Sequence, residues 1–76
     1  MSYTIIILPK AERNLRKLAR IDAKAARAVS LNILELEKDP YQPRPKVNIR
    51  KVEDKGYPPI YRLRVGSFRV EYAVFE

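Results

Sequence analysis

Residues 60–75 read IYRLRVGSFRVEYAVF, and this stretch decides the fold. Apolar and polar side chains alternate through 60–65 and again from 68 onward, which is the pattern of half-buried strands. Only Gly66 and Ser67 separate the two runs. A two-residue link led by glycine is typical of a tight hairpin turn of type II′ or I′. The last third of the chain is therefore predicted to be a β-hairpin.

A two-residue loop also determines which residues of the hairpin lie opposite each other. Arg64 then faces Arg69, and Arg62 faces Glu71. All the large apolar side chains of the inner part fall on the other face: Tyr61, Leu63, Val65, Phe68, Val70 and Tyr72. Directly opposed like charges destabilise a sheet by roughly a few tenths of a kcal/mol or more. Glu71 can neutralise the charge of Arg62, but no acidic residue lies opposite Arg64 or Arg69.

Three guanidiniums on rigid strands suit bidentate contacts to phosphate oxygens. We therefore predict an anion-binding face formed by Arg62, Arg64 and Arg69. The alternative is that these arginines are only the ordinary charged residues of a solvent-exposed sheet face.

The first half of the chain predicts one strand followed by two helices. Residues 3–8, YTIIIL, are β-branched and apolar on both faces, which indicates a strand inside the sheet or covered on both sides. Pro9 suits the first turn of a helix, which we expect to end near Ala19. Asp22 suits the N-cap of a second helix that runs to about Lys38.

A proline-punctuated connection at 41–46 precedes a short edge segment at 47–52 and then the hairpin. The element order predicts an α+β fold in which an N-terminal strand and a two-helix hairpin pack on a small, mostly antiparallel sheet. At 76 residues, the chain is expected to form a single domain over 1–76.

The composition points to a cytoplasmic protein that binds a polyanion. Sixteen Lys and Arg against nine Asp and Glu give a net charge of +7, so RNA, DNA or an acidic protein could be the partner. The chain has no cysteine and no histidine, so we expect no metal and no cofactor. No apolar run approaches the roughly 18 residues that span a membrane.

Further basic residues precede the hairpin, and they could widen its surface into a track for a nucleic-acid backbone. They are Arg44, Lys46, Arg50, Lys51 and Lys55. As loop charges, some of them could equally serve only as solvated surface. On the second helix, Leu31 and Leu34 lie off the apolar stripe, which predicts a contact with a protein partner. The stripe is formed by Ala25, Ala26, Val29, Ile33 and Leu36.

Three stretches resemble the RelE/ParE toxin superfamily: YTIIILPKAERNLRKL at the start, LELEKDPYQPRP after the helices, and YRLRVGSFRVEYAV in the hairpin. The similarity covers essentially the whole chain, and the hairpin is its most specific part. It implies a toxin of a type II toxin–antitoxin pair that a small, acidic cognate antitoxin neutralises. RelE-like members cut messenger RNA on the ribosome, whereas ParE-like members poison DNA gyrase. By position, Arg62, Arg64 and Arg69 match sites that are basic and functional in the RelE branch.

The sequence departs from that family at its end. The family usually continues through one further strand that supplies another catalytic Arg and a Tyr, whereas this sequence stops at Glu76. We therefore expect the strand at 68–75 to lie at an exposed edge, where it can recruit another chain or a second copy. The same departure leaves open whether the protein is catalytically complete.

Proton transfer is the weakest part of an RNA-cleaving mechanism here, because arginine keeps its proton at any physiological pH. Without histidine, the base would be a carboxylate, a lysine or a tyrosine. Glu71 is expected to pair with Arg62, and Tyr61 and Tyr72 to pack in the core. Three hypotheses follow: a metal-independent endoribonuclease acting on ribosome and messenger RNA, a gyrase inhibitor, and a non-catalytic module that only binds its antitoxin.

Overall fold

The computed structural model describes residues 3–52 and 56–76, and within them the chain forms two helices and four strands. In chain order these are β1 Thr4–Ile7, α1 Pro9–Ile21, α2 Ala23–Glu35, β2 Asn48–Lys51, β3 Ile60–Val65 and β4 Phe68–Phe75. The strands make one antiparallel sheet in the order β1-β4-β3-β2. Helix α1 packs against β4 and α2 packs against β3. The predicted α+β arrangement is confirmed.

Both helices begin where the sequence predicts. Pro9 occupies the first turn of α1, and a side-chain oxygen of Asp22 accepts a hydrogen bond from the backbone N–H of Ala25 at 3.1 Å, which caps α2. The helix ends differ slightly from prediction. Helix α1 continues to Ile21, and α2 ends at Glu35 because residues 36–38 bond to carbonyls three residues back in a tighter turn.

Two predictions about strand position are wrong. Strand β1 lies at an edge of the sheet and not inside it, since β4 is its one neighbour among the described strands. Strand β4 is not an exposed edge, because β1 pairs with it on one side, from Thr4 opposite Phe75 to Ile7 opposite Tyr72, and β3 pairs with it on the other. The edge strands are β1 and β2, of which only β2 was expected at an edge.

The core fills the space between the helices and one face of the sheet. Five side chains from α2's end, β3 and β4 have no measurable solvent exposure: Leu36, Leu63, Val70, Tyr72 and Val74. Each buried aliphatic residue of this size contributes roughly 1.5–3 kcal/mol of hydrophobic stabilisation. Because side chains alternate along a strand, this burial sends the arginines of the hairpin to the opposite face.

That opposite face, called here the open face, has two halves of different chemistry. The apolar half carries Ile60 of β3 and Ala73 of β4, which lie directly opposite each other, with Ile6 of β1 beyond Ala73. Ile6 remains 48% exposed. This half explains why β1 is apolar on both faces although it lies at an edge: Ile5 and Ile7 pack on the core, and Ile6 belongs to the open face.

Candidate functional site

The other half of the open face is basic, and the hairpin positions its arginines in the register that the sequence predicts. Arg64 lies opposite Arg69, and Arg62 lies opposite Glu71. The turn is held by Gly66 at φ 61°, while the φ of Ser67 is not positive, a combination that fits a type II′ turn. The predicted gathering of three guanidinium-bearing side chains on one face of the ribbon is confirmed.

A fourth arginine joins them from the neighbouring strand. Arg50 of β2 lies directly opposite Arg62, and Asn48 lies opposite Arg64. Together these residues line a cleft of about 290 Å³ in the open face, called here the central cleft: Asn48, Arg50, Arg62, Arg64 and Arg69. Arg50 was predicted as a nucleic-acid contact without a location. The sheet brings it to the three arginines of the hairpin.

The charge of the central cleft is largely uncompensated. Arg62 donates to Glu71 through an Nη2–Oε2 contact of 3.1 Å, as the sequence predicts. Arg64 donates from Nε to the carbonyl of Gly66 at 3.2 Å, which orients its guanidinium at the hairpin turn. Among residues 3–52 and 56–76, no carboxylate forms an ion pair with Arg50, Arg64 or Arg69. Within those ranges, the positive charges of these three arginines are therefore not neutralised by a carboxylate.

A second cleft adjoins the first on the side of α1. This helix-side cleft, of about 190 Å³, is lined by Lys10, Ala11, Asn14, Arg62, Arg69 and Glu71. It forms because β1 ends at Ile7, and the N–H of Leu8 then donates to the carbonyl of Glu71 at 3.0 Å, which docks the start of α1 beside β4. Sequence reasoning missed Lys10 and Asn14, since nothing local indicates that the start of α1 approaches the hairpin.

A third cleft adjoins the central cleft on the opposite side, next to the 43–48 segment. This loop-side cleft, of about 710 Å³, is shared by that segment, Asn32 of α2, and Arg64 with its turn. Lys46, one of the predicted nucleic-acid contacts, lines it and has a left-handed φ of 69°. The tight Arg44–Val47 bridge, with N···O distances of 2.9 and 2.8 Å, imposes that conformation on Lys46.

Arg44 is held in a different way from the other predicted basic residues. Its guanidinium donates to the carbonyls of Glu35 at 2.7 Å, Gln42 at 2.8 Å and Asp39 at 3.1 Å. Its Nη2 also lies 3.8 Å from the Glu35 carboxylate. The side chain thus satisfies carbonyls at the end of α2 and in the following connection, and its donors are engaged within the protein.

The last two predicted basic residues do not join the arginines. Lys51 follows Arg50, so its side chain leaves β2 on the other face of the sheet, and it borders a cleft with Tyr41, Tyr57 and Tyr61. Lys55 lies outside the described residues. On α2, Leu31 and Leu34 are 59% and 56% exposed, as the sequence predicts, and their partner role stays a prediction.

The candidate proton acceptors divide between the two faces. Tyr72 is fully buried and donates to the carbonyl of Pro40 at 2.6 Å, and burial raises its pKa above the ordinary value, so it stays protonated. Tyr61 stacks on it with ring centroids 6.0 Å apart, on the core side. Glu71 is the carboxylate that lines the helix-side cleft. In the described part of the chain, no group of acidic side chains has the arrangement of a metal site.

A family model described as "ParE toxin of type II toxin-antitoxin system, parDE" matches residues 5–76. The chain belongs to this family. The resemblance found in the sequence is therefore confirmed at the level of the RelE/ParE superfamily, and the toxin has a cognate antitoxin as its partner. No curated protein and no solved structure matches the toxin. No helix among the described residues is long and apolar enough to cross a membrane.

Proposed function

We propose that this toxin is a RelE-like endoribonuclease that cleaves messenger RNA on the ribosome, in the cytoplasm. The observation that supports this proposal is the convergence of Arg50, Arg62, Arg64 and Arg69 on one cleft, where one ion pair, between Arg62 and Glu71, occurs among the described residues. Guanidinium groups form short, charge-assisted and often bidentate hydrogen bonds to phosphate oxygens. Groups fixed on strands of a sheet hold such a geometry before the substrate arrives, which favours transition-state stabilisation.

In the proposed reaction, the 2′-oxygen of RNA attacks the adjacent phosphorus and the bond from phosphorus to the 5′-oxygen breaks. The products are a 2′,3′-cyclic phosphate and a 5′-hydroxyl. Arg64 and Arg69 bind the non-bridging oxygens, on which charge increases in the transition state. Arg62, held by Glu71, completes the phosphate site, and the ribosome aligns the message for attack.

Glu71 is the proposed acceptor of the 2′-hydroxyl proton, and water supplies a proton to the leaving 5′-oxygen. A positioned carboxylate that acts as a base contributes about 10²- to 10⁴-fold to the rate. Glu71→Gln should therefore lower the single-turnover cleavage rate by about this factor while RNA affinity is retained. A loss of affinity with an unchanged rate on bound RNA would instead limit Glu71 to positioning Arg62.

The proposal is tested by adding the purified toxin to a translation extract and mapping the messenger RNA ends. We expect arrested synthesis and cut message for the natural protein, and neither for a variant with Arg62, Arg64 and Arg69 all changed to alanine. A matched control changes Arg13, Arg20 and Arg27 to alanine, since these exposed helix residues line none of the clefts around the four arginines. Uncut message with the natural protein, or equal loss in both variants, would contradict the proposal.

A ParE-like gyrase poison is the second candidate, and the description of the matching family favours it. This candidate predicts that the toxin blocks DNA supercoiling by purified gyrase and leaves message intact. If the toxin does neither, while still forming a stable complex with an acidic antitoxin, it is the non-catalytic binding module.

A further inference from the structure

The three clefts adjoin one another, since neighbouring clefts share lining residues. Arg62 and Arg69 line both the helix-side cleft and the central cleft. Arg64 and Asn48 line both the central cleft and the loop-side cleft. Taken together, these adjoining clefts, called here the depression, run from the start of α1, past β4, β3 and β2, to the 43–48 segment.

We propose that this depression is one track for single-stranded RNA, in which the four arginines hold the central phosphate and Lys10 and Lys46 contact the phosphates on either side. The inference rests on the proposed function and adds the path, the strandedness and two contact residues to it.

The charges along the track favour this path. Lys10 and Lys46 are exposed, and neither forms an ion pair within the described ranges 3–52 and 56–76. Lys10 borders the cleft that also contains Arg69, and Lys46 borders the cleft that also contains Arg64. The two lysines thus add one positive charge at each end of the group of arginines. Asn14 and Asn48 lie in the same clefts and offer amide hydrogen bonds to sugar or base edges.

The surface beside the track favours one strand of nucleic acid over two. A duplex presents two phosphate rows on either side of a groove and needs a second row of cations. Beside this track the open face is apolar instead, because Ile60 lies two residues before Arg62 on β3 and Ala73 two residues after Glu71 on β4, a distance of about 7 Å. The exposed Ile6 and the partly exposed Ile60 offer an apolar surface, so unstacked bases are expected to turn toward these two side chains.

The test measures affinity without cleavage, using fluorescent 2′-O-methyl oligonucleotides in which the attacking hydroxyl is blocked. A dinucleotide carries one internucleotide phosphate, whereas a hexanucleotide can fill the whole track. We expect Lys10→Ala and Lys46→Ala each to weaken hexanucleotide binding about fivefold at 0.1 M salt and to lower the slope of log K against log salt by about 0.7. Neither change should alter dinucleotide binding.

The matched control is Lys51→Ala, which removes the same charge from β2 on the other face of the sheet and should leave both affinities unchanged. If Lys10→Ala and Lys46→Ala behave like this control while Arg64→Ala weakens binding, the track is wrong and the proposed function stands. If Arg64→Ala also leaves affinity unchanged, the proposed function fails as well. Duplex RNA that binds as tightly as the single strand would overturn the track by itself.

Discussion

The difference between Arg44 and Arg64 gives a sharp prediction, because the two arginines look alike in sequence. Arg44→Ala removes three hydrogen bonds to backbone carbonyls, of which those to Glu35 and Asp39 are partly buried. Counting about 1–1.5 kcal/mol for each of these two bonds, and little for the partly exposed Glu35 ion pair, the loss is about 2–3 kcal/mol. For a domain of this size, that lowers the melting temperature by about 10–20 °C.

The assay is urea unfolding followed by circular dichroism, together with RNA affinity measured where each variant is folded. Arg44→Ala should be destabilised but bind RNA like the natural protein, whereas Arg64→Ala should be stable and bind weakly. Arg13→Ala is the control for removing an exposed arginine that makes no ion pair in the described part of the chain and lines none of the three clefts. Natural stability in Arg44→Ala, or a loss of RNA binding by folded Arg44→Ala equal to that of Arg64→Ala, would refute this assignment.

Two further predictions concern the connection after α2. Tyr72→Phe leaves the buried carbonyl of Pro40 without its 2.6 Å donor and should cost about 1–3 kcal/mol in urea unfolding, with a smaller loss showing that water replaces the hydroxyl. Asp39 accepts from the N–H groups of Tyr41 and Gln42, and these bonds lower its pKa below the ordinary 3.8. Ionised Asp39 therefore contributes to folding stability above pH 3.8, and this contribution is lost as the pH falls through its lower pKa in the folded state. Asp39→Asn should therefore make the free energy of unfolding less dependent on pH in the acid range.

The hairpin could be predicted to the residue because its information is local. The link of Gly66 and Ser67 determines the pairing, and the alternation on both strands agrees with that pairing. The predicted cap at Asp22 is confirmed for the same reason, since a side-chain oxygen and the N–H groups it caps are close in sequence. The placement of Arg62, Arg64 and Arg69 on one face of the hairpin could therefore be predicted from the sequence alone.

The position of β1 and β4 in the sheet could not be predicted in this way. The pairing of Thr4 with Phe75 joins residues from opposite ends of the chain, and a sequence pattern carries no local signal for it. The apolar character of Ile6 suggested burial, but it reflects the apolar half of the open face. A strand with apolar side chains on both faces can therefore lie at the edge of a sheet when its solvent-facing side chains form part of an apolar surface patch.

The rest of the candidate site also depends on tertiary contacts. Lys10 reaches the site because the start of α1 docks beside Glu71, and Arg50 because β2 pairs with β3. Conversely, Arg44 borders the loop-side cleft but its guanidinium is bonded to carbonyls at the α2 end, and Lys51 leaves on the other face because side chains alternate along its strand. Counting basic residues near the hairpin could not separate these outcomes.

The opposed guanidiniums of Arg64 and Arg69 give ionic strength two contrary effects on this toxin. Mobile ions shield the repulsion between neighbouring cations, so added electrolyte should make the free fold more resistant to unfolding. Under the proposed function, binding releases cations condensed on the nucleic acid, and this release is less favourable at higher salt, so the affinity for nucleic acid falls. High salt is thus expected to stabilise the free toxin against unfolding and, at the same time, to weaken its proposed binding of nucleic acid.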